Sequence, residues 1–156
     1  MNLFKLNLEW HRLLIKYFDG LDYIICLISN NSTPYKIRFN NILNSNINIS
    51  EQWGFLTLEF ANKEDKAKFL IQIEMSISIQ KLEGPTWLKR ITTNYNEKKY
   101  PCRVYPASSS FTIAFYDAEK VGDAFSNGTI EINELLAYRK SILETIMMDI
   151  QNYINS

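Results

Sequence analysis

NELLAYRKSILETIMMDIQNY, running from Asn133 to Tyr153, decides the fold. Leu135, Ile142, Leu143, Ile146, Ile150 and Tyr153 fall on one stripe of an α-helix, with charged and amide residues elsewhere around it. A helix of about five turns carrying such a stripe draws most of its stability from lying against another apolar surface. The rest of the chain offers that surface as short strands. The expected class is therefore α+β: a mostly antiparallel sheet of five to six strands, with an N-terminal helix, a central helix and this long C-terminal helix packed on it.

Upstream of that helix, Asp117 to Gly128 reads as an exposed loop. Three strands are predicted before it, over Leu88–Tyr95, Lys99–Tyr105 and Phe111–Tyr116, the last two joined through Pro106–Ser110. The central helix starts at Asn62, an amide cap followed by Glu64 and Asp65 in the first turn. It should run to about Gln80 on a face of Leu70, Ile73 and Ile77. Residues 71–79 also alternate with period two, so a strand stays open there. Trp53–Phe60 is a predicted strand with Leu56, Leu58 and Phe60 facing one way. The asparagine-rich stretch Asn40–Gln52 reads as a loop holding one short strand at Ile47–Ile49. Tyr23–Ile28 and Tyr35–Phe39 read as a hairpin across Asn30–Pro34. Leu6, Trp10, Leu13, Leu14, Tyr17 and Phe18 share a face of the N-terminal helix, which Asp19-Gly20 closes. No repeat or low-complexity linker interrupts this order, and the expectation is one domain over residues 1–156.

Composition narrows the function classes. With 156 residues, 46% of them hydrophobic and 13% aromatic, the chain can build a core without disulfides or metal. Formal net charge is zero, so there is no global pull toward nucleic acid or an anionic membrane. The 16 asparagines and 20 isoleucines reflect AT-rich codons, as in bacterial, phage or protist genomes. No apolar run near the N-terminus has the length of a signal peptide or a membrane span. Cys26 lies in an apolar run and reads as a buried thiol; Cys102 has Arg103 beside it but no nearby base. A reducing, cytoplasmic setting is expected.

Residue types that carry chemistry are sparse. The single histidine, His11, sits one position off the apolar stripe of the first helix and reads as a boundary or surface residue, since no nucleophile motif accompanies it. Glu64-Asp65-Lys66 and Glu97-Lys98-Lys99, with Glu59 upstream, have the residue types of a carboxylate and magnesium hydrolase, but helix-start and turn roles explain them equally well. No catalytic residue, cofactor or metal ligand is assigned. Between residues 81 and 105, Trp87, Lys89, Arg90, Lys98, Lys99 and Arg103 mix cations with aromatics, the pattern of single-stranded nucleic-acid binding. From residue 117 the sign reverses. Asp117, Glu119, Asp123, Glu131 and Glu134 form an acidic stretch suited to a basic protein surface. The functional expectation is a small protein-binding module, such as an immunity or inhibitor protein that neutralises a bacterial toxin. Nucleic-acid binding and carboxylate hydrolysis are the alternatives.

Overall fold

The computed structural model describes residues 3–27, 34–77, 102–115 and 132–156. In chain order these form α1 (Leu3–Tyr17), β1 (Tyr23–Leu27), β2 (Pro34–Phe39), a 3-10 turn (Ile42–Asn44), β3 (Asn48–Gln52), β4 (Phe55–Glu59), α2 (Lys63–Ile77), β5 (Cys102–Pro106), β6 (Ser110–Phe115) and α3 (Ile132–Ile154). The six strands make one sheet in the order β1-β2-β3-β4-β6-β5, and every pairing is antiparallel. The α+β class and the three helices match the expectation.

Strand alternation gives the sheet two unlike faces. Ile37, Phe39, Ile49, Leu56, Leu58, Phe111, Ile113 and Phe115 point inward. They share one core with Trp10 and Leu14 of α1, Phe69 and Ile73 of α2, and Leu135, Ile142, Leu143, Ile146 and Ile150 of α3. On the opposite face, pairing register lines up Ile24, Arg38, Ser50, Thr57, Thr112 and Tyr105 in a row across all six strands. Thr57 and Thr112 are hydrogen-bonded there at 2.9 Å, and Arg38 pairs with Glu59 at 2.9 Å.

Local signals set the helix ends. Asn62 Oδ1 accepts from the Asp65 amide at 2.8 Å and caps α2. Gly20, at φ 86, closes α1 in the left-handed region. Residues 71–77 are helical, which decides that segment against a strand; residues 78–79 lie outside the described residues.

Two expectations are corrected. The short strand expected at Ile47–Ile49 within Asn40–Gln52 is present but starts later and runs further, because β3 occupies Asn48–Gln52 and pairs with both neighbours. Trp53–Phe60 is not one strand: Trp53 and Gly54 form the two-residue turn between β3 and β4, at φ 49 and φ 88. Two positive φ values give a turn whose twist matches its strands. Tryptophan is a strand former rather than a turn residue, so the sequence pointed the other way. The predicted strand Leu88–Tyr95 and the loop Asp117–Gly128 lie outside the described residues.

Candidate functional site

Among the described residues, a polar cluster lies inside the core. Glu51 occupies an inward position of β3 with 1% of its surface exposed. Its carboxylate accepts from Trp10 Nε1 at 2.9 Å and from the Gly54 amide at 2.8 Å, and His11 Nε2 lies 2.6 Å from the other oxygen. A carboxylate partner fixes Nε2 as the protonated ring nitrogen. The Arg139 guanidinium of α3 lies 5.6 Å from the Trp10 ring and 5.4 Å from the Phe115 ring, and Gly54 approaches its Nη2 closely enough that a Cβ would sit at 3.4 Å. These groups tie α1, the β3–β4 turn and α3 together. His11 is therefore buried, not a boundary or surface residue, because Glu51 supplies the acceptor that burial of an imidazole needs. With its Nε2 committed and the cluster closed to solvent, it is a brace rather than a reaction centre.

Exposed apolar surface lies elsewhere, at the β1 end of the sheet. Tyr23, Ile24 and Ile25 are 43%, 56% and 40% exposed on successive residues, so both faces of this edge strand are open. Tyr23 leans on Phe39, which packs on Phe18, anchoring β1 to the core from one side only. The sequence of β1, Tyr-Ile-Ile-Cys-Leu, carries no charge and no proline. The sequence of the opposite edge strand, β5, contains an arginine and a proline, Arg103 and Pro106. Natural sheets protect their edges with such residues, and β1 lacks them.

A groove of about 730 Å³ runs between the end of α1, the 3-10 turn and α3. Its walls include Tyr17, Leu21, Leu43, Met147 and Met148, with Asp19 and Glu144 at its margins. Leu43 sits at φ 53, ψ 38 and is nonetheless exposed. A left-handed leucine costs roughly 1–2 kcal/mol. The loop imposes it: Ile42 and Ile47 are buried, the Ile42 amide bonds the Ile47 carbonyl at 2.8 Å, and Asn48 Oδ1 accepts from the Asn41 amide at 2.9 Å. Burial first, and then the Glu144 carboxylate, raise the Tyr17 hydroxyl above the usual tyrosine range. The folded state thus holds this proton more tightly than the unfolded chain, so its stabilisation is complete below about pH 10 and is lost as pH rises through the folded value. In an absorbance titration of phenolate, Glu144→Gln should move Tyr17 part of the way back, leaving the desolvation effect. An unmoved titration would mean that Glu144 does not act on this hydroxyl.

Of the residues singled out in the sequence, Glu134 lies near the start of α3 and Arg103 in β5. Asp117, Glu119, Asp123 and Glu131 lie outside the described residues, as do Trp87, Lys89, Arg90, Glu97, Lys98 and Lys99. The carboxylate and lysine residues that are described have other partners. Glu59 bonds Arg38 and Ser50, while Lys66 Nζ bonds the Ala107 carbonyl and lies 4.4 Å from the Phe111 ring centroid. Desolvation there lowers the Lys66 pKa. Among the described residues, no three His, Cys, Asp or Glu side chains are placed to hold a metal ion, and no helix is long and apolar enough to cross a membrane. Cys26 and Cys102 sit on opposite edge strands, about 24 Å apart by strand spacing and well beyond disulfide reach.

Sequence reasoning missed Glu51, the open edge of β1 and the groove. The groove had a signal. Glu144, Met147, Met148 and Gln151 follow the i, i+3, i+4, i+7 spacing beside the buried stripe, and Met148 places an apolar side chain on α3 outside the core. No protein-family model, curated protein or solved structure matches the chain.

Proposed function

We propose that this chain is a small protein-binding module that neutralises a partner protein by direct contact, in the manner of a cytoplasmic immunity or inhibitor protein acting on a bacterial toxin. The observation that carries this reading is the unguarded edge of β1. Three successive apolar residues are exposed on a strand whose outer backbone groups have no strand partner among the described residues. Such an edge can accept an added strand, with backbone hydrogen bonds giving affinity and alternate side chains giving selectivity. The acidic residues Asp117, Glu119, Asp123, Glu131 and Glu134 suit a basic partner and would act chiefly on its rate of approach.

The test starts from the protein encoded by the neighbouring gene, purified and titrated against the chain. Binding is expected, and Ile24→Lys should weaken it by tenfold or more while leaving the melting temperature nearly unchanged, since exposed substitutions usually cost within about 0.5 kcal/mol. Lysine at Asp117, Glu119 and Asp123 together should slow association. Absence of binding to that protein, or binding indifferent to Ile24→Lys, would count against the reading. Retention of single-stranded DNA or RNA at low salt, abolished by glutamate at Lys89, Lys98 and Lys99, would favour the nucleic-acid alternative.

A further inference from the structure

We propose that the groove between α1, the 3-10 turn and α3 receives a segment of a partner protein in which a bulky apolar residue is flanked by lysine or arginine. This deepens, and rests on, the reading of the chain as a protein-binding module. Charge complementarity identifies the occupant. Asp19 and Glu144 are the only charged residues lining the groove among those described, and both are acidic and exposed. A neighbouring groove, which shares Tyr17, has the opposite character: Arg12, Lys16 and Lys140 line it, and Glu9, its one acid among the described residues, is already paired with Arg12 at 2.9 Å. A cationic segment is thus attracted to the first groove and repelled from the second.

The apolar component comes from two exposed side chains, Met148 and Leu43, and from Met147, which packs against the core on one side. Met148 is 65% exposed, Met147 lies half-buried beside it, and Leu43 is presented by a left-handed backbone that gains no burial in return. Methionine adapts its shape to a partner side chain, which suits a site that must close around a docked segment. The raised Tyr17 hydroxyl agrees with a partly desolvated wall next to Glu144. In that setting a lysine or arginine gains more from the carboxylates than it would at an open surface.

A phage-displayed library of random twelve-residue peptides, selected on the immobilised full chain, tests the proposal. Enriched peptides should share a bulky apolar residue next to lysine or arginine. A synthetic peptide of that consensus should lose at least about tenfold in affinity to the Glu144→Lys variant and to the Met148→Glu variant, and should weaken as salt is raised. Asp19→Lys is the companion variant, on a different element, in case a change on α3 disturbs the helix. Melting curves establish that each variant is folded. Enrichment of peptides without a cation, affinity unchanged in both Glu144→Lys and Asp19→Lys, or no enrichment at all would overturn the groove assignment. The broader reading is judged separately by the neighbouring-gene protein and Ile24→Lys. Capture of that protein that survives Glu144→Lys and Asp19→Lys leaves the module reading intact and overturns only the groove.

Discussion

Glu51→Ala is expected to destabilise the fold by roughly 3–5 kcal/mol, one of the two largest effects of any single substitution considered. Its carboxylate receives the Trp10 indole, the His11 imidazole and the Gly54 amide, all inside the core. Alanine leaves these donors without their acceptor and opens a cavity where the side chain stood. Glu51→Gln keeps one acceptor oxygen but turns an amide N–H₂ toward a donor, so a smaller loss of roughly 1–3 kcal/mol is expected. Urea unfolding measures both, and a midpoint shift with unchanged slope identifies a change in stability rather than in the denatured state. Near-equality of Glu51→Ala with wild type would mean that the cluster does not brace the fold.

Ile146→Asp should be at least as damaging, at about 3 kcal/mol or more, with a fall in melting temperature on the order of 10 °C. Ile146 faces the middle of the sheet and is 1% exposed. Around it, Ile49, Leu56, Leu58, Phe111 and Ile113 bound a residual cavity of only about 10 Å³. That space is apolar and at the lower limit for a single water, so neither solvent nor a counter-charge can relieve an aspartate there. Ile146→Val, which removes one methylene, should cost only about 1 kcal/mol. A melting curve for Ile146→Asp that overlays wild type would show that α3 does not pack through this stripe.

The helices were legible because their signals are local and periodic: the stripe of α3, the Asn62 cap of α2 and the Gly20 stop of α1 all depend on residues within one or two turns. β3 was legible only in part, as a short strand at Ile47–Ile49. Its outward residues Asn48, Ser50 and Gln52 are polar, and the inward position after Ile49 is Glu51, a charge where alternation calls for an apolar side chain. Only a partner histidine and tryptophan forty positions away make that burial sensible, and no window along the sequence contains both. β1 was legible as a strand of a hairpin, but its place at the sheet edge was not. Tyr23-Ile24-Ile25 has the apolar continuity of a buried strand, and nothing in its residues says that the sheet ends there. Edge position is a property of topology. The acidic and basic stretches were legible as charge patterns, whereas the groove required α1 and the 3-10 turn to be brought beside α3.

The strand order also has a kinetic side. Four of the five pairings in the sheet join chain neighbours, but the seam of β4 with β6 joins Glu59 to Ser110 and Phe55 to Ala114. The first four strands can zip up as a meander from short-range closures, and β5 with β6 can form as a separate hairpin. Uniting the halves must close a much longer loop, whose entropy is lost before the pairing returns anything. Refolding speed should therefore depend on this seam: truncating Leu58 or Phe111 should slow folding, while truncating Ile37 in the β1–β2 hairpin should mainly hasten unfolding. Stopped-flow folding and unfolding arms that respond the other way round would place the rate-limiting event elsewhere. Until the seam closes, the inner faces of both halves lie open to solvent, so the time this chain spends exposed to misassociation is set by one strand pair.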